Sequence, residues 1–457
     1  MAQGTVEIKT EEPKTKAVVS AQSMQLIDSN DQPEKICYIR RSDGAILPGH
    51  VLQQRGGEKA FAPIEYYVHY VGLNRRLDEW VPCHCVSENA DDLGGITVLS
   101  QPDGEQADTI QAVTRKLNDP HNIDAPGSPS DRKMTRYQKR RYDEINHVQK
   151  SHEELSAPLA AYEKEHESIT KIKYIEKIQF GQFEIDTWYF SPYPDEYGKA
   201  RKLFVCQYCL KYMRLLKSFT GHLKDCKVQK PPGREIYRKG IISVFEVDGN
   251  EEPLYCQLLC LLAKLFLDHK VLFYDTKVFY FYVLCEIAKE GCQIVGYFSK
   301  EKESLANNNV ACILVLPPYQ RKGYGKFLIA FSYTLSRKEG IIGSPEKPLS
   351  DLGRLSYRSY WAYTLLELMS DLSTSSLSIK ALNKLSGIAT DDIIYTLQSM
   401  RMIKYWKGQQ VVCVTTRTIN NYLQLPQLKR PVLTVDLDCL DWTPHKTVNG
   451  KSGVTSP

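Results

Sequence analysis

Cys206, Cys209, His222 and Cys226 follow the spacing C-x2-C-x12-H-x3-C. A tight knuckle supplies the first two thiolates, and a helical turn sets His222 and Cys226 at i and i+4 on one face, so four ligands can close a tetrahedron around zinc. Every position is then filled by protein, with no open place for a catalytic water, which predicts a structural metal. The helix of this finger carries few basic residues, so nucleic-acid contact is its minor reading. A second set follows the apolar run 310–316: after Pro317 and Pro318 come Gln320, Arg321, Lys322, Gly323, Tyr324 and Gly325, and a helix opens at Lys326. Two glycines allow a tight turn and close backbone approach, while free amides at a helix start, with Arg321, Lys322 and Lys326, favour a diphosphate. Such a loop is weak evidence alone, since many merely cap a helix, and it has neither the G-x-G-x-x-G nor the G-x-x-x-x-G-K-[ST] spacing. Cys83, His84 and Cys85 crowd together without a partner pair and read as incidental.

These residues need elements to position them. Strands are expected at 242–247, 279–287, 294–298 and 310–316, with helices at 254–268 and 326–338, inside a main domain of sustained apolar density that begins at 172. Ahead of it, β-like runs at 36–39, 50–52 and 65–71, split by Asp43-Gly44 and Gly56-Gly57, predict a small all-β module over 35–87. Residues 1–34 and 446–457 read as tails, and 88–171 as a linker. That linker holds a basic block, 132–141, open to two readings: an exposed charged face, or a nuclear-import or phosphate-contact segment.

Length allows about three folding units at roughly 150 residues each. The 59 basic and 54 acidic residues leave a net charge of +5, so attraction to acidic partners must be local. Hydrophobic residues at 42% and charged residues at 25% exclude a wholly disordered, collagenous or membrane-dominated chain. The most apolar run, 258–267, is interrupted by Lys264 and is about half of what a bilayer span needs. The first residues lack the pattern of a secretory signal, so an intracellular protein is expected, and its 13 cysteines read as thiols or metal ligands. No fixed-period repeat is present, which argues against a solenoid.

The loop from Gln320 to Gly325 resembles the Q-x-x-G-x-G acetyl-coenzyme A loop of the GNAT superfamily of N-acetyltransferases. Residues 297–303, 343–353 and 355–361 resemble the MYST family of histone acetyltransferases, and 67–80 resembles the chromo-barrel those enzymes carry. The resemblance implies a multidomain α+β chain: a chromo-barrel at 35–87, then a GNAT-like α/β core at 172–445 with a C2HC zinc finger at 204–229 and a winged-helix-like end. It implies that Glu346 is the general base and Cys312 lies beside the thioester. A lysine is an ammonium ion at pH 7, so a carboxylate must take its proton, ideally one whose pKa is raised by partial burial. Acetyl transfer through a Cys312 thiolate is conceivable, but an apolar strand raises a thiol pKa and direct attack needs no such step. By the same resemblance Lys264 is acetylated by the enzyme itself, Ser350 stands near the leaving thiolate, and Ile313 and Val315 offer main chain to the pantetheine arm. Ser359, Tyr405 and Lys429 are further cofactor contacts. On the residues alone, Lys264 could equally sit on the wet face of its helix.

In the barrel, Tyr66, Tyr67, Tyr70 and Trp80 could wall a methyl-lysine cage or could be ordinary packing. Ile46 stands where an aromatic is common in the family, which leaves RNA or DNA binding through Arg40, Arg41, Arg75 and Arg76 as a competitor. Residues 378–386, 390–397 and the hairpin at Tyr405 resemble a winged helix-turn-helix, but Asp391 and Asp392 open its second helix, which favours a wall of the substrate groove over a DNA reader. The expected activity is acetyl transfer from acetyl-CoA to a histone lysine, histone H4 foremost, in chromatin of the nucleus, within assemblies resembling the MSL and NSL complexes. Two alternatives remain: a non-catalytic chromatin or RNA reader, and an acetyltransferase for other proteins or small amines.

Overall fold

The computed structural model describes residues 36–57, 63–94, 96–97, 170–268, 274–371, 378–406, 409–412, 414–428 and 430–445. The expectations for 1–34, for most of 88–171 including the basic block, for 446–457 and for Lys429 lie outside them. The chain divides into two units, split near Gly104.

In the first unit, β1 (Cys37–Arg40), β2 (Ala45–Arg55), β3 (Glu65–Tyr70), β4 (Glu79–Pro82) and β5 (Val86–Ser87) lie in the order β4-β3-β2-β1-β5, and β6 (Ile96–Thr97) pairs with β2. Alternation puts Cys37, Ile39, Leu47, Val68 and Val81 inside. Gly49 is required by this closure, because a Cβ there would lie 2.3 Å from Ile39 and 2.5 Å from the His69 carbonyl oxygen.

The second unit starts with β7 (Lys177–Phe180), β8 (Phe183–Asp186), the short helix α1 (Asp195–Gly198), β9 (Lys202–Val205), β10 (Tyr212–Met213) and helix α2 (Leu216–Asp225). Its four strands form a sheet in the order β10-β9-β7-β8, an element the hydrophobic pattern did not announce. Next come β11 (Arg234–Lys239), β12 (Ile242–Asp248), α3 (Pro253–Lys264), β13 (Phe279–Ala288), β14 (Gly291–Glu301), β15 (Asn308–Val310), β16 (Cys312–Val315), α4 (Tyr324–Glu339), β17 (Ser344–Pro345) and α5 (Asp351–Asp371). An antiparallel sheet, β11-β12-β13-β14-β16, forms the centre, and Val244, Phe281, Val283, Phe298, Leu259 and Phe327 pack into one core with it.

The single strand expected at 310–316 is two. β15 pairs in parallel with β17, whereas β16 pairs antiparallel with β14, and Ala311 between them donates to the Ser299 carbonyl at 2.7 Å. The change of partner at one residue is what breaks the strand. Helix α3 also ends earlier than the expected 268, at Lys264.

The chain closes with α6 (Ile379–Ser386), α7 (Thr390–Ser399), the hairpin β18 (Ile403–Trp406) and β19 (Gln409–Val412), and α8 (Thr416–Leu423). These pack on α5 around a second core of Tyr357, Trp361, Leu365, Leu382, Ile393 and Leu397. Two helices and a hairpin in this order give the winged-helix-like end. No described helix is long and apolar enough to cross a membrane.

Candidate active site and zinc centre

The metal-ligating atoms of Cys206, Cys209, His222 and Cys226 all lie within 4.8 Å of one another. Cys206 and Cys226 sulfurs are 4.0 Å apart, and Cys209 Sγ lies 3.2 Å from His222 Nε2. A zinc tetrahedron with Zn–S bonds of about 2.3 Å has sulfur–sulfur edges of roughly 3.8 Å, so the residues fit the ion. The knuckle is made by main chain: Leu210 N donates to Cys206 O at 3.0 Å, Cys206 N to Lys211 O at 2.9 Å, and Leu210 takes a φ of 64°. Hydrogen bonding from Cys209 pulls the Cys206 thiol down to about 5, while the same contact drives the Cys209 thiol upward. Neighbouring thiols cannot all ionise without a cation to hold them.

The glycine loop runs off the open edge of the central sheet. Past β16, Leu316 N donates to Val295 O at 2.9 Å, a single helical turn covers Pro317–Tyr319, and Gly323 at φ 96° caps α4. Arg321 also takes a positive φ of 63°, so two left-handed residues, one on either side of Lys322, turn the main chain before the helix. A Cβ on Gly325 would meet nothing nearer than Val315 at 4.0 Å, so its face is open. Gln320 donates its carboxamide to Val315 O at 2.9 Å, which ties the loop to the strand. The Tyr324 side chain is buried with its hydroxyl on Glu286, so this residue can offer a ligand only its main chain. Arg321 and Lys322 are exposed, and burial pushes the Lys326 ammonium below its ordinary pKa. Left-handed turns, a helix start and three cations suit a diphosphate.

Glu346 follows β17, and its N–H donates to Val310 O at 2.8 Å. That carbonyl is two residues before Cys312, so the parallel β15–β17 pair sets the acid beside the start of the edge strand. Cys312 is half-buried, and its N–H donates to Ser299 Oγ at 3.2 Å. Glu346 is exposed, unlike the partial burial expected of a base; the two-residue strand beneath it is too short to cover its side chain. Ile313 pairs with Phe298 and Val315 with Gly296, so one side of β16 is bonded and the other is the sheet's edge. Ser350 immediately precedes α5 and caps it: its Oγ accepts from Gly353 N at 3.1 Å and its carbonyl from Arg354 N at 2.7 Å. Ser359 is half-buried on the same helix, and Tyr405 pairs with Gln410 in the hairpin.

Lys264 is only 1% exposed. The wet-face reading fails, because the ammonium turns past the end of α3 and donates to Asp268 O at 2.8 Å and Leu267 O at 3.2 Å. In the barrel, Tyr66, Tyr67 and Tyr70 are core residues, Tyr70 donates to Glu79 at 2.9 Å, and the Arg55 guanidinium lies 3.9 Å over the Trp80 ring while paired with Glu65.

Comparison with known proteins gives these features a family. Residues 230–440 match the MOZ/SAS family, 172–226 the MYST family zinc finger domain, and 32–88 the RNA binding activity-knot of a chromodomain. The histone acetyltransferase of the MYST family 2 of Arabidopsis thaliana is 47% identical over 411 residues, 89% of this chain and 84% of that protein. The chain belongs to the MYST family. Another MYST relative, the histone acetyltransferase MOF of Drosophila melanogaster, is 64% identical over 445 residues, 92% of this chain. The chain spans 54% of that relative's length. A solved chromo barrel domain from the males-absent on the first (MOF) protein is 59% identical and covers 19% of this chain and 95% of its own, with a TM-score of 0.15. The barrel's place in the fold rests on the chromodomain-knot match and on its own strands, and the zinc centre on the finger match and its four ligands.

One group escaped the sequence reading. Asp392, from the start of α7, is fully buried and holds Ser344 and Lys347, the residues on either side of Pro345 and Glu346. Its only sequence signal is an acidic pair at a helix start, which reads equally well as a dipole partner.

Proposed function

We propose that this chain transfers the acetyl group of acetyl-coenzyme A to a lysine of a histone tail, histone H4 foremost, with Glu346 as general base. The observation that carries the reading is the Glu346 N–Val310 O bond of 2.8 Å, which sets the acid at one end of an open edge strand whose other end runs into the glycine loop. Glu346 takes a proton from the incoming ammonium, the free amine attacks the thioester carbonyl, a C–N bond forms, the C–S bond breaks, and the departing thiolate takes the nitrogen's second proton to leave as the thiol. Ile313 and Val315 would offer main chain to the pantetheine arm. Arg321, Lys322, Gly323, Gly325 and Lys326 would hold the diphosphate, Gln320 and Tyr324 would keep the loop in shape, and Ser350 would face the leaving thiolate. Cys312 lines the site, and direct attack needs no acyl-cysteine. Ser359, Tyr405 and Lys429 are proposed as outer cofactor contacts.

Self-acetylation of Lys264 would neutralise a buried cation, which favours the modification energetically once the amine is presented. For the barrel, RNA or DNA contact is favoured over methyl-lysine, because Arg55 already occupies a face of Trp80. A nuclear, chromatin-bound enzyme in assemblies resembling the MSL and NSL complexes, with working units at 35–87 and 172–445, completes the proposal.

The test is Glu346→Gln in the full chain. Turnover should fall by about two orders of magnitude or more, the low end of what positioned acid–base catalysis supplies, with acetyl-coenzyme A affinity nearly kept. Wild-type turnover at saturating cofactor would remove Glu346 from the chemistry. Failure of the wild-type chain to bind acetyl-coenzyme A by calorimetry would favour a reader or scaffold. Mass spectrometry of nucleosomes treated with labelled cofactor would identify the lysine.

A further inference from the structure

The base is carried on a very short element, and a short element holds position only if something else fixes it. Ser344 Oγ donates to Asp392 Oδ2 at 2.7 Å, and Lys347 Nζ donates to Asp392 Oδ1 at 2.8 Å. Both oxygens of one fully buried carboxylate therefore tie down residues two before and one after Glu346. The main chain joins the same two elements: Gly343 N donates to Gly387 O at 3.0 Å and Ala389 N to Gly343 O at 3.2 Å. From the other side, Glu346 N is held by Val310 O at 2.8 Å. Asp392 itself is anchored in the third position of α7, and Thr396 donates to its carbonyl at 2.7 Å.

We propose that Asp392 is a positioning residue for the acetyl transfer: through Ser344 and Lys347 it fixes the Glu346 loop against β15, so that the carboxylate stands ready for the incoming amine. This inference rests on the reading of Glu346 as base. A buried carboxylate with two charged or hydroxyl donors is costly to build unless its partners are held in place, and here both partners bracket one functional residue. The winged-helix-like end thereby gains a role beyond walling a groove, since its second helix supplies the clamp. Displacement of a reacting group by about 1 Å can cost roughly a hundredfold in rate, so loosening the loop should appear in turnover rather than in binding.

Single replacement of Asp392 would strand Lys347, so the main variant is the pair Lys347→Met and Asp392→Asn, which leaves no unpaired buried charge. In the full chain with nucleosomes, kcat should fall about tenfold or more while KM for acetyl-coenzyme A and for nucleosomes stays within about twofold. Ser344→Ala, which removes one tie and keeps the ion pair, should give a smaller loss in the same sense. The deciding measurement is the cycle with Glu346→Gln. If the clamp works through the base, adding the paired replacement to Glu346→Gln costs little more, whereas an unrelated structural defect multiplies the losses. Unchanged kcat in the paired variant, or multiplying losses, overturns the proposal. Full turnover in Glu346→Gln alone would instead overturn the reading of the base, so the two failures are distinct.

Discussion

His222→Ala removes one of four ligands from the zinc centre, and the structure sets the size of the effect. Between Cys206 and Cys226 the buried apolar side chains other than the ligands are Leu210, Met213 and Phe219. At about 1.5–3 kcal/mol each they cannot hold β10 and the ten-residue α2 in place on their own. A helix of that length is marginal in isolation. Structural zinc contributes about 10–16 kcal/mol in finger peptides, so an even share per ligand is roughly 2.5–4 kcal/mol, or two to three orders of magnitude in affinity. Competition with a chromophoric chelator should show that loss, and hydrogen exchange should show 206–226 opening while β7, whose Ile178 and Phe180 belong to the main core, stays protected. Turnover should fall in step with the loss of protection. Wild-type zinc affinity in His222→Ala would refute the ligand set, and turnover lost on chelation before any amide opens would refute a structural metal.

Three further outcomes follow from local chemistry. Gly323→Ala forces a side chain onto a φ of 96° and should raise KM for acetyl-coenzyme A several-fold with little change in kcat at saturation, read by steady-state kinetics. Tyr333→Phe leaves the buried Trp361 Nε1–H, now 2.8 Å from the hydroxyl, without its acceptor and should destabilise the second core by about 1–3 kcal/mol in urea unfolding. Glu184 accepts from Lys177 and Lys202, and these contacts lower its pKa from 4.5 to about 2. Its folded pKa is depressed, so its stabilisation is present above about pH 4.5 and is lost as pH falls toward 2; the gap in unfolding midpoint between wild type and Glu184→Gln should close over that window. A constant gap would contradict the assignment.

What could be read from the sequence was local. The spacing of Cys206, Cys209, His222 and Cys226 encodes a knuckle and one helical turn, and both need only neighbouring residues to form. The glycine loop and α4 were legible because conformation there is set by Gly323 and by the apolar face behind it. The hidden features all join distant segments. Nothing within 310–316 says that the strand must change partner at Ala311, because β17 lies some thirty residues on. The sequence left Lys264 open between a wet and a buried face because its partners, the carbonyls of Leu267 and Asp268, exist only once the chain turns after α3. Arg55 covers Trp80 only because β2, β3 and β4 are neighbours.

The exposure of Glu346 bears on how substrate and base meet. A carboxylate open to water is a weak base toward an ammonium, and burial in an apolar setting strengthens it. With Glu346 as the proposed base, that burial would have to come from the bound reactants, because the two-residue β17 covers too little. On the proposed reading the site gains its basicity only when both the tail and the thioester are in place, which would suppress hydrolysis of a lone cofactor by activated water. The consequence is testable: the acidic limb of the pH profile for kcat should lie at higher pH than that for kcat/KM, since the former reports the filled site and the latter the free one. Coincident limbs would mean that the reactants do not change the environment of Glu346, and that a different group takes the proton.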